Sequence, residues 1–446
     1  MITRRSRLAL LIVPALALAT ACTGGGDDSA TSAASGDQTL KIGLLTQLTG
    51  PSRAAGTEAQ NGARLAADVI NGLNPSIPLP LASDSGLPNL GGAKVSVVVK
   101  DVTPPALDPK KDKDDDQTRE GNVQKTAGDA VTDLVSNKGV NALVGAYDPE
   151  ITEAASQRSE RFEVPFVNAD SPATFLTDAG RDWFFRIGPT WRQAGQAFFS
   201  LLRQQQIPSH KIAVLYAQDK AGQDVLTTTT QLAKEGALPK PTPFGFDPSG
   251  ANAAAALASV RAYNPDTLLL YSSPASVQPL LQAVAGSGLK PQAAMSFSLG
   301  YVTAQTFDPA AAAVDGLMRS TSWSIEAAQR NPAAQAVTAL YQRRFNSPMT
   351  EAAASAFTAV MTVAQAVNNA GTLDNQRVRS ALLSLDIPGE QTIMPWAGIQ
   401  FDETHQNTLA QALIEQYHNR AFSIVYPSDA AARGAKAIYP APNASG

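Results

Sequence analysis

Short apolar runs alternate with longer segments of helical periodicity along most of the chain. Residues 41–45 form an apolar run of strand length, whereas residues 55–71 carry apolar side chains three and four positions apart. The pattern predicts further strands at residues 95–99, 142–144, 165–167, 211–216, 267–271, 294–297, 410–416 and 422–425. It predicts further helices at residues 122–136, 151–161, 190–205, 222–235, 251–263, 276–287, 331–345, 351–370 and 374–385.

Alternation of strands and helices in this order is typical of parallel sheets covered by helices. The series occurs twice, so the predicted fold is α/β with two doubly wound parallel-sheet lobes. Two insertions interrupt it. Residues 74–92 are rich in Pro, Gly, Ser and Leu, and residues 104–120 include a run of Lys and Asp. We predict an irregular loop for the first and a solvated loop for the second.

The first 22 residues have the pattern of an export signal rather than of a folded element. Arg4, Arg5 and Arg7 form a basic start, and residues 8–18 form an apolar core too short to span a bilayer well. Small residues then precede Cys22, the only cysteine, so a disulfide within one molecule is excluded. Residues 23–38 contain no large apolar side chain, which predicts a flexible tether.

The stretch Leu-Ala-Thr-Ala-Cys at residues 18–22 resembles a bacterial lipobox, in which the cysteine is lipidated and becomes the mature N-terminus. Leu18 lies one position earlier than in the usual pattern. We predict that Cys22 carries the lipid and anchors the protein to the cell membrane, since two acyl chains suffice for stable anchoring. An ordinary secretory signal with an incidental cysteine is the alternative.

Composition and charge exclude several classes of function. Hydrophobic residues make up 44% of the 446 residues, which allows two well-packed lobes. The formal net charge is −4, and loss of the three leader arginines makes it more negative. A nucleic-acid partner is therefore not expected, because it favours a basic face. No internal run approaches the roughly 20 apolar residues of a membrane span.

The sequence lacks the motifs of the common enzyme and metal sites. Asp112, Asp114 and Asp116 have the spacing that opens a calcium loop, but Gln117 and Val123 occupy the positions of its glycine and final acid. The three histidines are not spaced as metal ligands, and no nucleophile elbow or phosphate loop is present. We predict no metal, no cofactor and no enzymatic activity. A hydrolase with two carboxylates meeting in a cleft stays open as an alternative.

Several segments, taken in order, resemble branched-chain amino acid binding proteins, which are type I periplasmic solute-binding proteins of ABC importers. The opening Ile-Gly-Leu-Leu-Thr-Gln-Leu-Thr-Gly-Pro at residues 42–51, with Gly56 and residues 61–71, is similar to the start of that family. Further similar segments are residues 98–101, 141–145, 164–172, 185–186 and 211–216, with Gly222, Gly316 and Asp402.

The resemblance implies a domain layout and a mechanism. Lobe one would comprise residues 39–188 and 317–396, and lobe two residues 189–316 and 397–440, joined by a three-strand hinge. A small solute would bind in the cleft, and the closed protein, as a monomer, would dock on an ABC permease outside the cytoplasm. A lipoprotein of the same fold that senses its ligand for signalling is the alternative.

The resemblance also implies ligand-binding positions. Tyr147, Asp148, Asp170 and Ser171 would contribute from lobe one. Asp219, Ser273 and Ser298 would contribute from lobe two. Trp191 and Trp323 are further candidates for stacking on a ligand.

The chain departs from the family at these positions. Relatives hold an amino-acid carboxylate with hydroxyls where this chain has Asp148 and Asp170, and residues 296–300 lack the acid that pairs with the ammonium group. A carboxylate ligand near two acids would be repelled. We expect a bulkier, polyol-like, amide or cationic solute rather than a simple aliphatic amino acid. In the alternative, Tyr301 or Trp323 replaces the missing contacts.

Overall fold

The computed structural model describes residues 38–106, 116–297, 306–307 and 310–441, except for the side chain of Asp116. Cys22, nearly all of the predicted tether and Ser298 lie outside the described residues. The strands are β1 Thr39–Thr46, β2 Lys94–Asp101, β3 Ala142–Gly145, β4 Phe166–Asn168, β5 Phe184–Arg186, β6 Ile212–Ala217, β7 Thr242–Phe246, β8 Thr267–Tyr271, β9 Ala293–Ser296, β10 Met318–Thr321, β11 Asp386–Pro388, β12 Gly398–Gln400, β13 Leu413–His418 and β14 Ala421–Tyr426.

Helices separate most of these strands along the chain. They are α1 Arg53–Asn71, α2 Asp116–Thr132, α3 Pro149–Phe162, α4 Phe175–Asp178, α5 Trp191–Gln204, α6 Lys220–Glu235, α7 Ala253–Tyr263, α8 Val277–Ser287, α9 Ile325–Ala328, α10 Pro332–Phe345, α11 Glu351–Ala370 and α12 Asn375–Leu383. Each strand and helix predicted from the sequence overlaps an observed one. Among the described residues, no helix combines the length and apolar character needed to cross a bilayer.

Two main sheets form the two lobes. The first has the parallel order β2-β1-β3-β4-β5, and the second has the order β14-β13-β10-β9-β8-β6-β7. The second is parallel from β10 to β7, whereas β13 and β14 pair antiparallel. A separate ribbon consists of β11 and β12. The predicted α/β class with two sheet-and-helix lobes is confirmed.

One predicted boundary differs from the observed sheet membership. The family resemblance implies a return to lobe one at about residue 317, whereas Met318–Thr321 pairs with β9 and β13 in the second sheet. The chain therefore leaves that sheet after Thr321. The cause is the pairing itself: a four-residue strand with polar positions at Arg319 and Ser320 carries little sequence signal of its own.

The two insertions behave differently. Residues 74–92 form no strand or α-helix, as predicted, but their leucines are not solvated. Leu79, Leu81, Leu87 and Leu90 are buried in the core of lobe one. The prediction of a solvated loop at residues 104–120 is wrong at its end, because α2 already begins at Asp116. Residues 107–115 lie outside the described part of the chain.

Helices α1 and α11 pack closely against one face of the first sheet. Both helices supply small side chains, and α11 is buried over most of its length. A β-carbon added at Gly62 of α1 would lie 2.0 Å from the carbonyl oxygen of Ala353 in α11. Glycine is therefore required at this crossing, since any side chain would force the helices apart. On the opposite face of the sheet lie α2 and α3, as the shared core of Leu143, Val131 and Ala155 indicates.

We expect Gly62→Ala to destabilise lobe one by about 1–3 kcal/mol, the range for overpacking a tight interior. Gly121→Ala is the matched control, because Gly121 lies in α2 with no atom within 4 Å of its added β-carbon. That control should be neutral or stabilising by up to about 1 kcal/mol, since alanine favours helix more than glycine does. Calorimetric unfolding measures both variants. Equal midpoints for the two would contradict the close helix approach.

Candidate functional site

Two cavities lie between residues of the two lobes. The first, of about 80 Å³, borders the crossing segments, and we call it the hinge cavity. Its lining comprises Ala55, Tyr147, Ala169, Asp170, Pro172, Pro189, Thr190, Trp191, Ala194, Phe297, Arg319, Ser320, Thr321, Ser322, Glu351, Ala352 and Ala412. The second, of about 470 Å³, is the lateral cavity. Its lining comprises Arg119, Glu120, Val123, Gln124, Glu150, Glu153, Gln218, Asp219, Lys220, Pro248, Ser249, Ser273 and Ala275.

A buried arginine organises the hinge next to the first cavity. Arg186 ends β5, and its guanidinium donates to Gln406 Oε1 at 2.6 Å, to Thr177 Oγ1 at 2.7 Å and to the carbonyl of Ala173. Gln406 in turn donates to the carbonyl of Gly188 at 2.9 Å. Burial lowers the pKa of Arg186 to about 10, so the group stays charged at neutral pH. The network joins lobe one to the returning segment before β13.

Lobe one presents two acids to the hinge cavity. Asp170 follows β4, and burial raises the pKa of its carboxyl to about 8, helped by the negative charge of Glu351 and opposed by the hydroxyl of Ser355. Glu351 is the first residue of α11, and its carboxylate accepts a hydrogen bond from the backbone N–H of Ser322 at 2.5 Å. The two acids therefore face one space from two separate elements.

Lobe two contributes Arg319, whose charge is already paired. Its Nη2 and Nε lie 2.8 and 3.0 Å from Glu415 Oε2 on the neighbouring strand β13. The guanidinium carbon also lies 3.8 Å from the centre of the Phe422 ring. This ion pair is largely buried, with 12% and 4% of the two side chains exposed. Arg319 consequently adds little net positive charge to the cavity.

Aromatic and apolar groups form the remaining wall. Trp191 begins α5 and is held edge-on against Tyr271, with ring centres 5.3 Å apart. Thr190 caps this helix reciprocally with Gln193, which fixes where the indole stands. Phe297 and Tyr147 complete the aromatic part of the lining. The cavity thus combines two carboxyl groups with flat apolar surfaces.

Four helices that begin at the two cavities are capped by their own residues. Asp148 accepts from the N–H groups of Glu150 and Ile151 at the start of α3, and Asp219 accepts from Gly222 N at the start of α6. Thr190 and Thr350 do the same for α5 and α11. A helix N-terminus favours anions. Here that capacity is used by side chains of the chain itself.

Acids of the two lobes also lie near each other at the lateral cavity. Burial raises the pKa of Glu150 to about 8, and the negative charges of Asp148 and Asp219 add to that shift. Burial also raises the pKa of Asp148 and that of the Tyr271 phenol. Because Glu150 belongs to lobe one and Asp219 to lobe two, part of this repulsion acts across the cleft.

Other contacts hold the same edge of the cleft together. Lys220 of lobe two pairs with Glu153 of lobe one at 2.5 Å, and its ammonium lies 4.5 Å from the centre of the Phe175 ring. The backbone N–H of Thr174 donates to Asp224 Oδ2 across the cleft at 2.7 Å. The described conformation is therefore one in which the lobes touch.

The structure distributes the predicted ligand-binding residues over different places. Tyr147 and Asp170 line the hinge cavity, whereas Asp219 and Ser273 line the lateral cavity. The carboxylate of Asp148 serves as a helix cap. Ser171 is buried and lines neither cavity; its backbone N–H donates to Asn168 Oδ1 at 3.0 Å. Ser298 lies outside the described residues.

Several lining residues were not predicted. Glu351 starts a helix that the sequence did predict, so its place at a helix N-terminus was the available signal. Arg319 lies on β10, a strand that the pattern of apolar residues did not predict. Of the two tryptophans proposed to stack on a ligand, Trp191 lines the hinge cavity, while Trp323 is buried and donates from Nε1 to the carbonyl of Ile393 at 3.0 Å. Within the described ranges, no three His, Cys, Asp or Glu side chains are grouped to hold a metal ion.

Comparisons with known proteins agree with the two-lobed α/β fold. Residues 119–419 match the family described as periplasmic binding protein, which is more than half of the chain. The Leu/Ile/Val-binding protein homolog 7 of Brucella abortus (strain 2308) is 23% identical over 406 residues, covering 88% of this chain and 92% of that protein.

Two solved structures show the same fold. A leucine-binding protein from Thermotoga maritima MSB8 has a TM-score of 0.70 at 16% identity, covering 88% of this chain and 100% of that one. A solute-binding protein of an ABC transporter from R. palustris, in complex with benzoate, has a TM-score of 0.66 at 16% identity, with coverages of 90% and 99%.

We expect Glu150→Gln to change how stability depends on pH. The folded protein keeps a proton on Glu150 up to about pH 8, whereas the unfolded chain loses it near 4.5. Stability is therefore lost as pH rises through this window, and above it the variant should be the more stable protein by on the order of 1–2 kcal/mol. Unfolding midpoints across the window measure the effect.

The control for this prediction is Glu120→Gln, since Glu120 is an exposed acid on the lining of the same cavity. It should leave the pH dependence close to that of the parent protein. If Glu150→Gln and the parent lose stability in parallel as pH rises, the assignment of the titrating group to Glu150 is wrong.

Proposed function

Because this chain belongs to the periplasmic binding protein family, we propose that it is the substrate-binding subunit of an ABC importer and holds a small solute in the hinge cavity. Family membership confirms the resemblance found in the sequence and identifies a binding protein rather than an enzyme. The observation that carries the proposal is the hinge cavity itself. Residues of both lobes line it, directly beside the segments that cross between the lobes.

Closure of the lobes is the mechanism that this geometry supports. A solute that touches Asp170 of lobe one and Trp191 of lobe two gains contacts that an open cleft cannot supply. Only such differential contacts shift the equilibrium toward the closed state. The pair Lys220–Glu153 and the hydrogen bond from Thr174 to Asp224 would form in the same movement. The permease would then distinguish the closed, loaded protein from the open one.

We further propose that the protein works outside the cytoplasm as a lipoprotein anchored through Cys22. The family supports the extracytoplasmic location. The basic start, the short apolar core and the small residues before Cys22 support the anchor. Residues 23–38 would act as a tether that leaves the lobes free to reach a permease. We propose that the folded body acts as a monomer.

The chemistry of the hinge cavity argues against a simple aliphatic amino acid. Such a ligand would place its carboxylate near Asp170 and Glu351, with Arg319 already paired to Glu415. Ligands of related proteins vary: one structural neighbour is a complex with benzoate, and another is described as a fatty acid ABC transporter substrate-binding protein. We therefore propose a solute that differs from leucine, isoleucine and valine.

A variant that fills the hinge cavity tests the proposed binding site. Ser320 is half-buried on the cavity wall, so Ser320→Phe should occupy the space without burying a new polar group. Solutes that raise the unfolding temperature of the parent should no longer do so, because binding stabilises only through an accessible site. Ser423→Phe makes the same change at an exposed position of the same sheet and should keep the effect. Stabilisation that survives Ser320→Phe would place the solute elsewhere.

We expect Cys22→Ser to move the protein from the membrane fraction to the soluble fraction in a bacterial host. The lipid-transfer step modifies only the thiol of Cys22, and a serine at this position has no thiol. Incorporation of labelled palmitate should be lost with it. Ser35→Ala, a change within the predicted tether, should remain lipidated and membrane-bound. Retention of Cys22→Ser in the membrane fraction would disprove the anchor.

A further inference from the structure

We propose that the solute is a small organic cation bearing N–H donors and no carboxylate group, and that its positive end lies against Asp170 in the hinge cavity. This inference rests on the proposed function, because it names the class of solute that the same cavity selects. The family resemblance alone does not give it, since relatives place hydroxyls where this chain has acids.

The first support is an excess of acidic over basic groups around the cavity. Its titratable lining groups are Tyr147, Asp170, Arg319 and Glu351. Arg319 is paired with Glu415 and lies over the Phe422 ring, so its charge is compensated within lobe two. Glu351 accepts one hydrogen bond from Ser322 N, and the hydroxyl of Ser355 offsets only part of the cost of burying Asp170. Among the described residues that line the cavity, none supplies an uncompensated positive charge to Asp170.

The second support comes from the helix N-termini. In a cleft built for an anionic ligand, free N–H groups at these ends would receive it. Here Asp148, Asp219, Thr190 and Thr350 occupy them. An incoming carboxylate would compete with these caps for the backbone donors that they occupy, and displacing a cap costs free energy. A cation needs none of these groups.

The third support is the aromatic wall. Trp191, Tyr147 and Phe297 line the same cavity as the two acids. Aromatic faces attract cations through their negative quadrupole, and the attraction grows when the cation is desolvated. A carboxyl group and an indole lining one small space are therefore a suitable pair for an ammonium or guanidinium group. The lateral cavity adds Glu150 and Asp219 along the adjacent part of the cleft, so nearby acids extend the same preference.

Binding of such a solute is linked to release of a proton. Without ligand, burial keeps the carboxyl of Asp170 protonated up to about pH 8. An N–H donor cation requires the ionised form, so the proton leaves Asp170 for the solvent when the cation binds. The apparent affinity should then rise by roughly tenfold per pH unit below this pKa and become constant above it. A ligand that accepts a hydrogen bond from protonated Asp170 would show the opposite dependence.

A matched series on one carbon skeleton tests the inference. The probes are isopentylamine, isopentanol, isocaproate and leucine, which carry a positive charge, no charge, a negative charge and both charges. Putrescine and agmatine extend the cationic set. Thermal unfolding and calorimetry of the full folded protein are the measurements. We expect stabilisation by cationic members only, with leucine failing although it contains the isopentylamine skeleton.

Two variants test whether cation binding depends on the carboxyl group of Asp170. Asp170→Asn should weaken binding of the cations at least tenfold and abolish both the pH dependence and the dependence of the binding enthalpy on buffer, which reports released protons. Asp84→Asn makes the same substitution at an exposed position in the insertion of residues 74–92 and should have no effect. Unchanged folding of Asp170→Asn is checked by its unfolding temperature without solute.

The outcomes separate the inference from the proposed function. Stabilisation by the neutral, anionic or zwitterionic probes, cation binding that survives Asp170→Asn, or failure of every cation would each overturn the cationic class. If another class binds and Ser320→Phe abolishes that binding, the solute-binding function stands while this inference falls. If Ser320→Phe abolishes no binding at all, the site itself is misassigned and both fall.

Discussion

The buried guanidinium of Arg186 is the interaction on which the cleft depends. It lies where β5 ends and donates to three side-chain and backbone oxygens on two separate segments, residues 173–177 and Gln406 of the returning chain. Asn407 continues the network, because its Nδ2 donates across the crossing to the carbonyls of Ile187 and Gly398, both at 3.0 Å. A buried charge is tolerated only when its donors are satisfied, and removing a partner from such a network costs several kcal/mol. Correct pairing of the crossing segments is therefore strongly favoured over any shifted register.

The hydrogen-bond network of Arg186 fixes the positions of the residues that follow it in the chain. Pro189, Thr190 and Trp191 come directly after the crossing and form one wall of the hinge cavity. The capping of α5 by Thr190 fixes the direction in which the helix leaves, and Trp191 is then held by Tyr271. The solute-binding surface is thus a consequence of how the hinge is pinned, and movement of the lobes must take place around it.

Most charged groups at the cleft are already paired with other groups of the protein. Acids that cap helices at its edges satisfy local backbone donors, and Arg319 is neutralised by Glu415 before any solute arrives. The remaining carboxyl groups are destabilised by burial and by one another. Glu150 and Asp170 therefore keep their protons at neutral pH, and a suitable cationic partner would favour their ionised forms. Solute binding and closure of the lobes would favour each other, because both bring the acids into contact with new donors.

Local patterns predicted most of the fold, and the failures have physical causes. The strand Thr242–Phe246 was missed because Pro243 and Gly245 break the apolar alternation, which an edge strand tolerates. Met318–Thr321 was missed because Arg319 is polar in isolation and becomes a strand residue only beside Glu415. The turn after β4, with Asp170, was identified from its place in the family pattern, whereas the role of Glu351 was not. That residue meets Asp170 only after α11 folds back onto lobe one.

The sequence by itself determined the two-lobed α/β fold and the pattern of an export signal, and its resemblance to the family singled out acids at the predicted ligand positions. These features depend on spacings of two to four residues or on short motifs. Such local patterns are present in the sequence and need no tertiary contact. The tertiary structure alone decided which acids share a cavity, which cation is already paired and which helix ends are closed. Arg319 and Glu415 are 96 positions apart and Arg186 and Gln406 are 220 apart, so no local pattern encodes their meeting. Burial then sets their charges, because desolvation depends on everything packed around a group.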